Sequence, residues 1–221
     1  MIDQLIIGNK ASYDDFDANV AGRTITDGKK KEIKDTVPFS NNTYDFSAIN
    51  GEVYWEEKEL AYVFELTADT PEELEEKKLA FKSWIMNVMN EELHDPFIRD
   101  YHFVATFKEI DVDDSEIEKS TIEVTFTAYP YMIANNVKTK QVSIEANIAT
   151  TAYIQNNSSH RITPTFNSDA PFTVASGTSV FAVPAGETTD DSFKLEVGRN
   201  ELTFGAEETA VVNISFYEEV F

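Results

Sequence analysis

Few side chains in this 221-residue sequence could do chemistry, and they are scattered. There are three histidines, His94, His102 and His160, and no cysteine. Without cysteine, a thiolate nucleophile, a disulfide framework and a thiolate zinc site are all excluded. No two histidines fall at metal-ligand spacing. His94 reads as a cation near a helix end, where the dipole favours it. A glycosidase needs two carboxylates across a cleft, but with 40 Asp and Glu residues such a pair could form anywhere, so it singles out no site. G-x-S-x-G, H-E-x-x-H, a P-loop and G-x-G-x-x-G are all absent. The dense run Asp14, Asp15 and Asp17 lacks the central Gly and terminal Glu of an EF-hand loop and reads as a solvated loop. The expectation is a protein that is not an enzyme, with no cofactor and no metal.

What remains is binding chemistry. The net charge of −22 argues against neutralising phosphates and against anionic membrane surfaces. No stretch approaches the roughly 20 apolar residues that a membrane span needs. Met1 to Ile7 has neither the basic start nor the long apolar run of a secretory leader. The only basic run is Lys29-Lys30-Lys31. It reads either as a lysine-protected strand edge or as an attachment point for an acidic neighbour, including another copy of the chain. Both readings stand. Sugars stack on exposed aromatic rings, which makes a carbohydrate-binding module the alternative function. Of the two tryptophans, Trp84 falls on an apolar helix stripe and reads as core, and Trp55 lies in the same half of the chain.

These residues must be carried by elements legible from periodicity. Leu60, Tyr62, Phe64 and Leu66 alternate with Ala61, Val63, Glu65 and Thr67, as in a strand with one buried face. Thr70 then reads as an N-cap with Glu73 reaching back, and Pro71 as the first helical residue. The helix is expected over about residues 71–93, with Leu74, Phe81, Ile85 and Val88 as its stripe and Trp84 and Met89 widening it. Two more alternating strands follow, through Tyr101, Phe103, Ala105 and Phe107, then Ile122, Val124, Phe126 and Ala128. Before this unit, Ile33, Asp35, Val37 and Phe39 read as one face of an edge strand interrupted by Pro38, and Asn50-Gly51 as a tight turn.

A boundary is expected at Pro130. About 29 of the 40 acidic and about 13 of the 18 basic residues precede Tyr131, leaving the rest at only about −6. Turn clusters at short intervals in residues 131–221 predict a small antiparallel β-sandwich. The expected fold is mainly β. It comprises two antiparallel β-sandwich domains, residues 1–130 with one packed amphipathic helix and residues 131–221.

A lysine-rich start precedes VPFSN at 37–41, YDFS at 44–47 and GEVYWEEKELAYVFEL at 51–66. A helix carrying SWIMNVMNEELHD at 83–95 and the run FTAYPYMI at 126–133 follow. In order and spacing, over about 120 residues, these resemble the distal tail proteins of siphophages and prophages of Gram-positive bacteria. The Gly198-Arg199-Asn200 turn and the strand ending in Ile214-Ser215-Phe216-Tyr217 also resemble that family's galectin-like second domain. The resemblance implies a virion protein of the tail tip, assembled in the host cytoplasm. It implies a homo-hexameric ring built by the first domain, with the second projecting outward. The ring would join the tail tube protein to the tail-associated hub or fibre protein, with the tape measure protein as a further neighbour. DNA would pass through the bore without specific binding. Longer members carry insertions that bind sugars or receptor-binding proteins, and 221 residues leave little room for one. Candidate subunit-interface residues are Asp14, Asp15 and Asp17 against Lys29, Lys30 and Lys31, together with Phe39.

Overall fold

Alternation decides the longest strands, because period 2 sends every second side chain to the same face. In the computed structural model, which describes residues 4–36, 39, 41–48, 51–114 and 118–221, Leu60, Tyr62, Phe64 and Leu66 are fully buried. So are Ile122, Val124 and Phe126 opposite them. Burying a side chain of this size contributes at most about 1.5–3 kcal/mol. The chain divides into two compact units, the first ending at Met132 and the second running Ile133–Phe221.

The first unit contains, in chain order, β1 (Ile6–Ile7), β2 (Lys10–Ala11), α1 (Ser12–Phe16) and β3 (Asn19–Thr26). After them come β4 (Lys34–Thr36), β5 (Thr43–Asp45), β6 (Lys58–Thr67) and α2 (Pro71–Ile85). The last three are β7 (Glu91–His94), β8 (Tyr101–Asp113) and β9 (Lys119–Ala128). Its main sheet runs β2-β1-β7-β8-β9-β6-β3, and β4 pairs with β5 apart from it. These pairings are antiparallel. Helix α2 lies on the face of β6 that carries Phe64, whose ring meets Phe81 edge-on at 4.9 Å.

Thr70 has an extended backbone and accepts a hydrogen bond from the Glu73 N–H at 3.2 Å, as an N-cap should. The Glu73 carboxylate pairs with Lys77 at 3.1 Å. Replacing Thr70 by Ala should cost about 1 kcal/mol, read as a shifted urea midpoint at unchanged slope. The helix ends at Ile85, well short of 93. Asn90, at φ +54°, turns the chain, and Glu91–His94 gains more by pairing with both β1 and β8 than by continuing a helix. His94 is therefore a strand residue. It caps no helix, and its ring lies 5.3 Å from that of His102, with Glu92 beside both.

The apolar stripe is also narrower than expected. Met89 is exposed, and Trp84 is only partly buried, stacked on Phe16 of α1 at 4.7 Å. Lys78 takes a position in the stripe. Its aliphatic stem is buried, while its ammonium reaches Glu75 at 2.6 Å and Asp114 at 2.7 Å. The segment holding Asp14 and Asp15 is a five-residue helix rather than a loop.

The second unit follows β10 (Met132–Ala134), which straddles the boundary, with β11 (Lys138–Ile144), β12 (Thr150–Asn156) and β13 (Thr165–Ser168). Next are β14 (Phe172–Ser176), β15 (Ser179–Val183) and β16 (Gly186–Thr189). It closes with β17 (Gly198–Gly205), β18 (Ala210–Phe216) and the short β19 (Glu219–Val220). Two four-stranded antiparallel sheets, β11-β18-β13-β16 and β12-β17-β14-β15, share one core. The phenylalanines at alternating positions, Phe166, Phe172, Phe204 and Phe216, are buried in it. Turn spacing assigns no strand to Thr150–Asn156 or Gly186–Thr189; both are paired along their length with β17 and β13. Asn156, fully buried, donates to the carbonyls of His160, Leu195 and Glu196, pinning the loops at that end.

Candidate functional site

Between Thr26 and Lys58 the chain leaves the main sheet but keeps pairing with itself. Lys31 N–H donates to Tyr54 O and Glu56 N–H to Lys29 O, both at 2.8 Å, and Lys30 bridges Trp55. Further out, Phe46 N–H donates to Ile33 O at 2.8 Å, and β4 pairs with β5. The ladder of β3 and β6 thus continues as a two-stranded arm. The two chains at its base run so close that a Cβ on Gly28 would stand 1.9 Å from the Glu56 carbonyl oxygen. Only glycine fits there.

Every residue of β4 and β5 is exposed. Ile33, Tyr44, Phe46, Val53 and Tyr54 are exposed along the arm, with Tyr44 and Phe46 stacked at 6.4 Å. Phe39 is fully exposed at φ +66°. It occupies a left-handed turn position and not a strand face, while Ile33, expected to share that face, is 62% exposed. Val37, Pro38 and Asn50 lie outside the described residues. Lys29, Lys30 and Lys31 are exposed at the base of the arm, where their backbone pairs with Tyr54–Glu56.

Asp14, Asp15 and Asp17 stand on or next to α1 and are exposed. Asp14 accepts from the Gln4 side chain at 2.8 Å, Asp15 from the Ala11 N–H at 2.7 Å, and Asp17 pairs with Lys77 at 3.0 Å. No ion pair joins them to the lysine run among the described residues. The two sets are separate patches on one molecule.

The second surface is the sheet face turned away from α2, which is the polar phase of the alternation in β6, β8 and β9. Register aligns Thr26, Glu59, Thr127 and Thr106 in one row, and Thr24, Ala61, Thr125 and Glu109 in the next. Gly22, Val63, Glu123 and Asp111 form a third row, and Asn19, Glu65, Thr121 and Asp113 a fourth. A bulge between Phe107 and Glu109 keeps this phase along β8 and sets out Lys108, which pairs with Glu59. Lys119 pairs with Glu65 at 2.9 Å. Even so, Asp111 and Glu123 sit directly opposite one another, a like-charge pair that costs stability and that folding alone gives no reason to keep. This hydroxyl- and carboxylate-covered face was open to reading from the same alternation that marks the core.

At the β3 edge, Asp95 is fully buried. Its Oδ2 accepts from Arg23 at 2.7 Å and from the Tyr62 hydroxyl at 2.8 Å, and its Oδ1 from the Phe97 N–H at 2.8 Å. Burial and the neighbouring carboxylate push the Tyr62 phenol far above its ordinary range, so it stays a neutral donor. The Asp95 carboxylate and the Tyr62 hydroxyl are closed off from solvent, and the cluster ties Asp95 to β3 and β6. Among the described residues no group of three or more His, Asp or Glu could hold a metal ion, and no helix is long and apolar enough to cross a membrane.

No family model matches the chain, and no curated protein matches it. Solved structures do. The crystal structure of the SPP1 Dit protein (gp 19.1), described as a paradigm of the hub adsorption apparatus in phages infecting Gram-positive bacteria, superposes with a TM-score of 0.73. The match is 10% identical and covers 100% of both chains. A chain of the phage P2 baseplate in its activated conformation with calcium matches at a TM-score of 0.45 and 7% identity, over 97% of this chain and 98% of that one. The chain has the fold of SPP1 Dit, and the argument from likeness rests on that structure alone.

Proposed function

We propose that this chain is a structural, non-enzymatic component of a phage tail tip or baseplate whose copies close head to tail into a ring. The observation that carries the reading is the likeness to SPP1 Dit, a hub protein, over the whole length of both chains. A ring needs two different complementary surfaces on each copy. The arm, with its exposed aromatic residues and Lys29, Lys30 and Lys31, supplies one, and α1 with Asp14, Asp15 and Asp17 the other. Apolar contacts provide most of the affinity and the charges set the register. Six copies, as in distal tail proteins, would surround a bore, with the tail tube protein on one rim and the hub or fibre protein on the other. The threonine- and carboxylate-covered face of β3, β6, β8 and β9 suits the bore, where its charge keeps DNA phosphates from adsorbing as they pass.

The test is the mass of the full chain in solution from micromolar to the highest soluble concentration, and in reconstituted tails. A closed oligomer is expected. Reversing Lys29, Lys30 and Lys31 to Glu should weaken it about tenfold, and raised salt should act in the same direction. A chain that stays monomeric in reconstituted tails would remove the ring, and ring contacts confined to Ile133–Phe221 would reverse the roles given to the two units.

A further inference from the structure

A cleft of about 480 Å³ opens in the first unit, between the β1–β2 turn, the C-terminal end of α2 and the start of β7. That is the size of pocket that small ligands occupy. Its apolar floor is Ile7 and Val88, both buried. One side is Trp84, whose indole stacks in parallel on Phe16 at 4.7 Å and meets Phe81 edge-on at 5.7 Å. The rim carries Lys10, Asn87 and Glu91. Phe16 thus fixes the indole, and Lys10 lies 5.4 Å from the Phe16 ring centroid. The Asn87 amide nitrogen donates to Ser83 O at 2.6 Å, which orients the side chain.

We propose that this cleft binds a neutral pyranose unit of a polysaccharide, with Trp84 as the stacking platform and Asn87, Glu91 and Lys10 as hydrogen-bonding partners. A sugar ring presents an apolar C–H face to an aromatic plane and hydroxyls at its edge. The cleft pairs an indole fixed by its ring contacts with polar side chains, Lys10, Asn87 and Glu91, among its lining. Glu91 and the net charge of −22 disfavour a polyanion at the same place. This inference is independent of the ring, since a monomer would bind equally well.

The full chain carrying Trp55→Phe has Trp84 as its single tryptophan, so its emission reports on the cleft directly. Titration with glucose, galactose and N-acetylglucosamine should quench or shift that emission saturably for at least one sugar, with a Kd on the order of 1 mM. Asn87→Ala and Glu91→Gln should each weaken that sugar about 3- to 10-fold with an unchanged thermal transition. Trp84→Phe, which retains an aromatic stack on Phe16, should weaken it further, followed by saturation-transfer NMR. If none of the three sugars binds saturably up to about 50 mM, or if binding is the same in Glu91→Gln and Trp84→Phe, the proposal is overturned.

Discussion

Gly28→Ala is expected to break the base of the arm. The added Cβ would stand 1.9 Å from the Glu56 oxygen, 2.7 Å from its carbonyl carbon and 2.9 Å from the Glu57 oxygen. All three are backbone atoms, so no side-chain rotation can make room, and the strands themselves must part. Overpacking at well-packed positions costs about 1–3 kcal/mol, and a backbone clash this deep belongs at or above the top of that range. Separation at this point takes with it the bonds from Glu56 to Lys29 and from Lys31 to Tyr54, which are the next two along the arm beyond the clash. Hydrogen exchange should show the Lys31 and Glu56 amides losing protection while those of β9 keep theirs. If the ring closes through the arm, the same variant should fail to assemble. Full protection of both amides in Gly28→Ala would mean that the arm is not built as described.

Asp95→Ala should destabilise the first unit by about 3 kcal/mol, because it removes the acceptor from a partly exposed cation and a buried hydroxyl together. The Arg23 side chain is 33% exposed and can be partly rehydrated, which holds the loss near the low end for a broken buried pair. The Tyr62 hydroxyl has no such escape, being fully buried. Adding Tyr62→Phe to Asp95→Ala should therefore recover about 1 kcal/mol, a coupling that a double-mutant cycle isolates. Both tryptophans lie in the first unit, so their emission follows its unfolding without a signal from the second. A loss below about 0.5 kcal/mol for Asp95→Ala would show that the network is not buried as the contacts imply.

The sequence by itself determined the strands that carry the core and the start of the helix. Leu60 to Leu66 and Ile122 to Ala128 alternate too regularly for any other element. Thr70-Pro71 is a local signal that needs no distant partner. The absence of cysteine and of known catalytic motifs was equally a property of the sequence alone. Only the tertiary structure decided what depends on contacts between distant segments. The helix stops at Ile85 because residues 91–94 find strands on both sides, a pairing invisible to the 3.6-residue period. Lys78 can occupy the apolar stripe because Asp114, 36 residues on, meets its ammonium. Trp84 is a cleft wall rather than core because Phe16, from another element, shares its ring face. Nothing in its local sequence singles out Gly28 until Glu56 is brought against it. Asp95 reads as one carboxylate among 40 until Arg23 and Tyr62 converge on it from two other strands. Local signals act through backbone propensity and side-chain phase, which a short window contains. Burial and pairing depend on which segments meet, and that is settled only when the whole unit closes.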